Sequence, residues 1–226
     1  MIVVTTPTGR IGRRVVELLL AATDPASVRV VTRDPAALDP RVRAAVQVVA
    51  GSHCDPAALD RAFDGADSVF WLVPPDPRAP GTATDHYLGF AAPACEALAK
   101  RRVRRVVAVT SLGHGYPHDA GTLSAAFAMD AAFQHSGVGY RGLAAPFFLE
   151  NLFSQTNTVD AFHKMLLGFG VSAGWAQGVA DMVRAQNDGI YDAEPHLPPI
   201  HVPHLSQPTA FRTWCEQQLK PAVDAA

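Results

Sequence analysis

The residues best placed for ligand chemistry lie near the amino terminus, in the loop Thr5–Gly12. This loop follows the apolar run Ile2–Thr5 and precedes a helical pattern, so it would lie at the amino terminus of a helix. Such a terminus carries N–H groups without helical partners and about half a positive charge, which attract phosphate. The pattern predicts that a dinucleotide pyrophosphate contacts Thr6, Thr8, Gly9, Arg10, Ile11 and Gly12.

The two glycines of this loop have different expected tasks. Gly9 would let the backbone approach the phosphates, and Gly12 would let the helix pack closely on the strand. Thr6 stands where the usual fingerprint has its first glycine. We expect Thr6 to avoid a positive φ, and therefore expect a nonstandard turn. The alternative is a plain tight turn that binds no ligand.

The end of the second strand bears on which dinucleotide would bind. An acidic residue there would hold the ribose 2′-hydroxyl of NAD, but this strand ends in Thr32 and Arg33. A guanidinium suits a 2′-phosphate, so the sequence predicts NADP(H), and NAD(H) less strongly. Arg10 could add a second contact. Alternatively, Asp34 caps the next helix and Arg33 is merely solvated.

These residues need a scaffold, and the chain alternates short apolar runs with helical patterns. Runs that are apolar throughout are typical of a parallel sheet with helices on both faces. We therefore predict an α/β, doubly wound parallel Rossmann sheet of about six strands, with a small, truncated helical region at its carboxyl end. The predicted strands are Ile2–Thr5, Val28–Thr32, Ala45–Ala50, Ser68–Val73, Arg105–Thr110 and Tyr140–Ala144.

Predicted helices fill the spaces between these strands and follow the last one. They are Gly12–Leu20, a short start at Asp34–Leu38, one capped by Asp55 and stopped by Gly65, Thr84–Arg101 and Leu123–His135. Later helices are expected after Ser172, bearing Trp175, and around Phe211–Leu219, on either side of a Pro- and His-rich strap at Glu194–Pro208. We assign residues 1–151 to the dinucleotide-binding domain and residues 152–226 to a helical extension that packs on it.

Composition narrows the class of protein. Hydrophobic residues make up 48% and charged residues 18%, as in an ordinary globular chain, and the net charge of −2 does not favour nucleic acid. The three cysteines form neither a disulfide framework nor a zinc pattern. No apolar stretch is long enough for a membrane span, and the start lacks the pattern of a signal peptide. We expect a cytoplasmic location, without membrane or nucleic-acid partners.

Four motifs in this order carry a family resemblance. They are the opening Thr-Thr-Pro-Thr-Gly-Arg-Ile-Gly, Thr32-Arg33-Asp34-Pro35 after the second strand, the stretch from Gly139-Tyr140 to Glu150-Asn151, and the ending from Phe211-Arg212-Thr213-Trp214-Cys215-Glu216 to Leu219-Lys220-Pro221-Ala222-Val223. With them the sequence resembles the NmrA-like family of atypical short-chain dehydrogenases/reductases, over about residues 1–151 and 158–223. The resemblance implies a Rossmann fold that binds NAD(P), in proteins that include quinone and azo-dye reductases and non-enzymatic NADP sensors.

Some positions depart from that family pattern. A segment between Asn151 and Thr158 is expected to be missing, which would shorten the substrate region. Ala144 stands where the family has an arginine in the sixth strand, and Ser52 replaces the usual acidic residue after the third. We therefore expect a shallow, open pocket, or one that a second subunit completes, so a homodimer is a further expectation.

Catalytic groups are sought beyond the carboxyl ends of the strands, where ligands of open α/β sheets bind. No tyrosine is followed by lysine at the fourth position, so the usual Tyr–Lys carbonyl chemistry is not expected. After the fifth strand, Ser111, His114 and Tyr116 are the candidates, and His114 could protonate a reduced oxygen. The alternative is a glycine-rich surface loop. Hydride transfer would then depend mostly on how the protein positions the nicotinamide and the acceptor.

Other strand ends would flank the nicotinamide. Val73 and Pro74 after the fourth strand, and Pro146 and Phe147 after the sixth, are predicted cofactor contacts. Flat aromatic rings could stack on the acceptor or pack in the core; the candidates are Trp71, Phe147 and Phe148. No metal site is predicted, because the spacing of His196, His201 and His204 matches no common zinc pattern. The basic run at residues 100–105 is interpreted as a solvated helix end.

Together these features favour an NADPH-dependent oxidoreductase. Its expected substrate is a small aromatic or conjugated acceptor, such as a quinone, an enone or a polyketide-like intermediate, in secondary metabolism. Two alternatives remain open. One is a non-catalytic NADP(H)-binding sensor or regulator, and the other is a non-redox cyclase or isomerase on the same fold.

Overall fold

Parallel strands form one sheet in the computed structural model, which describes residues 1–145 and 158–191. Within these residues the sheet has six strands in the order β3-β2-β1-β4-β5-β6, and every neighbouring pair is parallel. This is the doubly wound Rossmann order, with its reversal between β1 and β4. The strands are β1 (Ile2–Thr5), β2 (Val28–Thr32), β3 (Gln47–Ala50), β4 (Ser68–Trp71), β5 (Arg105–Ser111) and β6 (Gly139–Ala145).

The sheet buries apolar side chains on both of its faces, as the unbroken apolar runs predicted. The helices are α1 (Arg10–Ala22), α2 (Pro40–Ala45), α3 (Pro56–Ala62), α4 (Ala83–Arg101), α5 (Thr122–His135), α6 (Val159–Gly168) and α7 (Ala173–Asn187). One cluster, which includes Val3, Val69 and Trp71, packs under α3, α4 and α5. The opposite cluster, which includes Val4, Val30 and Phe70, packs under α1. The predicted fold class is confirmed.

Asp-Pro pairs begin several of the helical turns. The Asp39 carboxylate accepts hydrogen bonds from the backbone N–H groups of Arg41 and Val42, and Pro40 is the first residue of α2. The side chain of Asp55 caps α3 in the same way. We missed α2, and the predicted third strand therefore began two residues too early, because this cap turns the chain into a helix before β3.

The helix α6 was also absent from the prediction, although its start is encoded locally. The Thr158 hydroxyl accepts a hydrogen bond from the N–H of Ala161, and Asp160 lies in the first turn. At α7 the prediction of a Ser172 cap is half wrong. Ser172 occupies the N-cap position, but its hydroxyl makes no capping bond. The predicted strap at Glu194–Pro208 and the helix near Phe211–Leu219 lie outside the described residues.

The helices after the sheet pack onto α4 and α5. Trp175 of α7 packs in a buried cluster with Ala83 and Ala125. A second cluster joins Ile190 and Ala185 to the beginning of α5. These contacts place the last described helices above the carboxyl ends of β4 and β5, where they enclose a cavity.

The basic run at residues 100–105 is largely paired at the end of α4. Arg101 forms ion pairs with Asp60 and Asp64, Lys100 binds Asp60 at 2.8 Å, and Arg104 pairs with Asp67. This arrangement ties α4 to α3 and agrees with the predicted helix end. Among the residues that the structure describes, no helix is long and apolar enough to cross a membrane.

Candidate functional site

The turn after β1 is tighter than the sequence suggested. Thr6 has a φ of +50°, so the expectation that this residue avoids positive φ was wrong. A β-branched residue in this region costs roughly 1–3 kcal/mol, which the surrounding structure must supply. The Thr6 carbonyl accepts a hydrogen bond from the N–H of Gly9 at 3.1 Å, and Thr5 is fixed below it by bonds to the β4 backbone. The turn therefore keeps the glycine conformation without the glycine.

Gly12 is required by close contact with that turn. A Cβ atom at Gly12 would lie 2.1 Å from the Thr6 carbonyl oxygen and 2.8 Å from its carbon. No side chain fits in that space, because both atoms belong to backbone fixed by β1. The predicted task of Gly12, the close packing of α1 on the strand, is what the geometry shows.

The start of α1 has the features of an anion-binding end. Its N-cap is Gly9, which has no side chain to bond the first helical N–H groups, and no acidic residue lies in the first turn. The buried hydroxyl of Thr6 has no hydrogen-bond partner among the described residues. A buried polar atom without a partner is costly, so a ligand atom at this position would satisfy it. These observations fit the pyrophosphate of a dinucleotide.

A small pocket of about 160 Å³ opens beside this loop, and we call it the ribose pocket. The loop, the ends of three other strands and one residue of α4 form its wall: Thr6, Pro7, Thr8, Gly9, Val31, Thr32, Arg33, Gly51, Ser52, His53, Pro74 and, from α4, Phe90. Of the predicted cofactor contacts, Thr6, Thr8, Gly9, Arg33 and Pro74 thus meet here. Ile11 and Val73 line a second, larger cavity. Arg10 is exposed at the start of α1 and borders neither.

Both readings of the residues after β2 are partly realised. The Asp34 carboxylate accepts a hydrogen bond from Ala36 and caps a short 3₁₀ turn. Arg33 nevertheless lines the ribose pocket rather than simply facing solvent. Within residues 1–145 and 158–191, no hydrogen bond or ion pair holds its guanidinium. Arg33 is therefore available to an anionic ligand group.

Two histidines that the sequence did not single out hold the chain after β4. His53 Nε2 lies 3.1 Å from the carbonyl oxygen of Leu72, and His86 Nε2 lies 2.9 Å from that of Pro74. Burial lowers the pKa of His53 to about 4, assisted by the nearby Arg33 charge and opposed by the Leu72 bond. At neutral pH the imidazole is uncharged, so its N–H donates to Leu72.

The larger cavity has a volume of about 440 Å³ and a mainly apolar wall. Its floor comes from the ends of β4 and β5, where Val73, Thr110 and Ser111 lie. Ile11 connects the cavity to the loop Thr5–Gly12, which we call the phosphate loop. Helices α4 to α7 supply the remaining walls, through Tyr87, Leu123, Ala126, Leu166, Trp175, Val179 and Met182. We call this the acceptor cavity. It adjoins the ribose pocket because Val73 and Pro74 are consecutive residues.

The aromatic wall of this cavity is not the predicted one. Trp71 is fully buried between His53 and Phe133, so its proposed stacking on an acceptor is wrong. Successive strand residues point to opposite faces, and Trp71 points beneath α3 and α4. Trp175 and Tyr87 line the cavity instead. The other predicted contacts, Pro146, Phe147 and Phe148, lie outside the described residues.

The indole Nε1 of Trp175 is a polar atom in the apolar wall of the acceptor cavity. Trp175 is 4% exposed, and its Nε1 has no hydrogen-bond partner among the described residues. Tyr87 is also mostly buried, and burial raises the pKa of its phenol, which therefore stays protonated. An apolar cavity with a few donors in its wall is typical of a site for a small organic ligand.

The three predicted catalytic residues occupy different places. Ser111 borders the acceptor cavity, and its hydroxyl lies 3.4 Å from the carbonyl oxygen of Ala145. Tyr116 packs against a separate cluster around Ile190 and lies outside the cavity wall. His114 also lies outside the wall and makes a tilted ring contact with Phe127, with ring centroids 4.3 Å apart. Their catalytic roles remain predictions.

A buried carboxylate near Ser111 was missed by the sequence analysis. Asp130 of α5 is 1% exposed, and it accepts hydrogen bonds from Thr110, His114 and Tyr140. Burial, together with the Asp130 contact, raises the pKa of Tyr140 above its usual range. The available signal was a lone acidic residue on the apolar face of a predicted helix, which demands partners.

Metal chemistry finds no support in the described part of the chain. No cluster of His, Cys, Asp or Glu there could hold an ion. The histidines considered earlier, His196, His201 and His204, lie outside the described residues. Cys54 is exposed and Cys95 half-buried, and both are free thiols.

Comparison with known sequences places this geometry among dinucleotide-binding proteins. Residues 7–164 match a family described as NAD(P)H-binding. A reductase of Streptomyces griseus, named for (4-alkanoyl-5-oxo-2,5-dihydrofuran-3-yl)methyl phosphate, is 46% identical over 80 residues, or 35% of this chain. The aligned part is 27% of that protein.

Solved structures share the fold at low sequence identity. A triphenylmethane reductase from Citrobacter, described in complex with NADP(H), aligns with a TM-score of 0.58 and 17% identity, over 73% of this chain and 55% of that one. An Escherichia coli quinone oxidoreductase in complex with NADPH gives 0.57 and 20%, over 73% and 54%. A nucleoside-diphosphate-sugar epimerase from Staphylococcus aureus gives 0.58 and 13%, over 73% and 56%. The chain thus spans about half the length of these proteins.

Proposed function

Because this chain belongs to the NAD(P)H-binding family, we propose that it is an NADPH-dependent reductase of a flat, conjugated acceptor such as a quinone or an enone. The observation that carries the proposal is the acceptor cavity, an apolar space that begins at the phosphate loop and ends under Trp175. When bound, NADPH supplies a hydride. The family match confirms the predicted NAD(P)H-binding family, and the structural neighbours share its fold; the resemblance to the NmrA-like reductases supports the proposed activity.

Arg33 supports NADP(H) rather than NAD(H). The guanidinium lines the ribose pocket without an acidic partner among the described residues, and Asp34 is turned away to cap a 3₁₀ helix. A carboxylate in the place of Arg33 would repel a 2′-phosphate, whereas an arginine fork binds one through charge-assisted hydrogen bonds. Two of the structural neighbours are described as complexes with NADP(H) or NADPH, in agreement with this assignment.

The walls of the acceptor cavity support a flat organic substrate. Apolar side chains dominate them, and the polar groups that the described residues contribute are uncharged: Thr110, Ser111, Thr122, Tyr87, Tyr191, Gln186 and the indole of Trp175. Burying a substrate with a localised charge there would be costly without an opposite charge. A planar ring with carbonyl oxygens could instead stack on an aromatic wall and accept hydrogen bonds at its edge. We propose that residues 152–226 belong to the same domain, and the described helices α6 and α7 line this cavity.

Two measurements test the proposal in sequence. NADPH and NADH are first titrated by nicotinamide fluorescence, and then the loss of NADPH absorbance is followed with a panel of quinones and enones. We expect NADPH to bind more tightly than NADH, and at least one acceptor to be reduced. Tight binding of NADPH without turnover on any acceptor would instead identify a cofactor sensor. Absence of binding by either nucleotide would overturn the cofactor assignment.

A further inference from the structure

Asp130 lies at the centre of a hydrogen-bonded cluster between β5, α5 and β6. Its Oδ2 atom accepts bonds from the Thr110 hydroxyl and, at 2.7 Å, from Nε2 of His114. Its Oδ1 atom accepts the hydroxyl of Tyr140. Thr110 and His114 therefore meet at a single carboxylate oxygen.

The two groups on Oδ2 face different surroundings. Thr110 belongs to the wall of the acceptor cavity and is 9% exposed. The His114 side chain is 46% exposed, on the outer side of the loop after β5. Asp130 separates them, with a side chain only 2% exposed. The cluster thus connects the protein surface to the cavity through three side chains.

Packing alone does not require a carboxylate at this position. A buried charge is costly, and replacement of buried ionic groups by apolar residues of similar volume is often neutral or stabilising. Here three donors from separate elements compensate the charge, and the raised pKa of Tyr140 keeps one of them protonated. The ring of Phe127 packs against the imidazole of His114, with the two ring planes tilted by 44° and the centroids 4.3 Å apart.

We propose that His114, Asp130 and Thr110 form a proton relay that delivers a proton from solvent to the oxygen of the acceptor in the cavity. This inference rests on the proposed reductase function and names the proton source that the function requires. Thr110 is the catalytic residue, because it alone borders the cavity. Asp130 and His114 are positioning and relay residues.

The proton movements balance in each step. The hydride forms a C–H bond with a carbon of the conjugated acceptor, and the displaced π-electron pair moves to the acceptor's oxygen. That oxygen takes the proton of the Thr110 hydroxyl, which has rotated from Asp130 towards the cavity. The Thr110 oxygen takes a proton from Oδ2 of Asp130, and Oδ2 takes one from Nε2 of protonated His114. Solvent then reprotonates the exposed imidazole.

Acceptors that differ in their need for a proton provide the test. Reduction of menadione, a neutral quinone, consumes a hydride and a proton, whereas reduction of malachite green, a cationic triphenylmethane dye, consumes a hydride alone. Thr110→Val removes the hydroxyl with little change of shape, and Thr110→Ser is the matched variant that retains it. NADPH affinity is measured for every variant, as a readout that does not depend on turnover.

We expect Thr110→Val to lower kcat for menadione by about 100-fold, the usual contribution of a positioned acid, and to leave malachite green reduction and NADPH affinity near their wild-type values. Thr110→Ser should retain the rate with menadione. Asp130→Asn should resemble Thr110→Val. Menadione reduction by the wild type should also be slower in heavy water.

Distinct outcomes would overturn the relay and the reductase. Equal losses with both acceptors in Thr110→Val, or failure of Thr110→Ser to retain the rate, would exclude the relay and leave the reductase intact. If the wild type reduces menadione but not the dye, an absent solvent isotope effect on kcat likewise excludes the relay. If NADPH binds and neither acceptor is reduced, the proposed function fails and the relay fails with it.

Discussion

The ribose pocket and the acceptor cavity lie side by side but are built differently. The ribose pocket lies beside the loop after β1, where Gly12 packs against Thr6 and Gly9 is the N-cap of α1, and the ends of neighbouring strands complete it. The acceptor cavity is formed by side chains from elements far apart in the chain, from Ile11 to Tyr191. The first kind of site depends on conformation, whereas the second depends on which side chains happen to meet. Substitutions in the two regions should therefore have different effects on stability, cofactor binding and the KM for the acceptor.

The largest effect is expected at the phosphate loop. Gly12→Ala places a Cβ atom 2.1 Å from the Thr6 carbonyl oxygen, so α1 must move away from β1. We expect a loss of about 3 kcal/mol in the free energy of unfolding, typical of overpacking, and a loss of NADPH binding. Urea unfolding and fluorescence titration measure the two effects.

Gly89 offers a matched control for that substitution. A Cβ atom there would meet nothing within 4 Å, and the residue is exposed within α4. Gly89→Ala should stabilise the protein by roughly 0.5–1 kcal/mol, because alanine favours a helix. A Gly12→Ala protein that bound NADPH normally would show that the loop is not the pyrophosphate site.

A smaller effect, confined to cofactor choice, is expected in the ribose pocket. Arg33→Asp should raise the Kd for NADPH relative to that for NADH by about 100-fold, as expected for loss of a charge-assisted contact of ~2–3 kcal/mol. Arg105→Asp makes the same change in net charge at the opposite end of the sheet, at the start of β5. It should leave the ratio of affinities unchanged. A ratio that does not differ between the two variants would contradict the role of Arg33.

The ribose pocket should also respond to acid through His53. Its pKa is about 4 when folded and 6.5 otherwise, so the unfolded chain binds more protons between these values. Stability is therefore fully present above pH 6.5 and is lost as the pH falls towards 4. Between neutrality and about pH 5 this loss amounts to about 2 kcal/mol.

Urea unfolding at these two pH values checks the effect of His53. His53→Asn should lose less stability on acidification than the wild type does, since it removes the titrating group. The exposed His118 supplies a control, and His118→Asn should follow the wild type. Parallel loss of stability in all three proteins would assign the acid response to other groups.

The smallest effect is expected in the acceptor cavity. Trp175→Phe removes an unpartnered indole N–H and part of an apolar wall, so the KM for the acceptor should rise about tenfold while the Kd for NADPH is unchanged. Trp71→Phe makes the same change in the core, outside the cavity, and should lower stability without raising this KM. If both variants raise the KM equally, the cavity is not the acceptor site.

Local signals in the sequence were sufficient for the sheet and for the phosphate loop. Apolar runs predicted every described strand within a few residues, and Asp55 with Pro56 correctly predicted the start of α3. These features depend on neighbouring residues, because caps, turns and strand periodicity act over a few positions. The helix α2 had an equally local signal at Asp39 and Pro40, and it was simply overlooked.

Only the tertiary structure decided which side chains surround the acceptor cavity. The sequence suggested Trp71, but β4 points it beneath α3 and α4, and α7 brings Trp175 to the cavity from more than one hundred residues away. The cluster of Thr110, His114 and Tyr140 around Asp130 also joins separate elements. The positive φ of Thr6, by contrast, accompanies local contacts of its carbonyl group with Gly9 and Gly12. The sequence by itself indicated the strand–loop–helix unit at which we propose that a dinucleotide binds, since neighbouring residues decide such a unit. The packing of distant helices determined what can bind beside it.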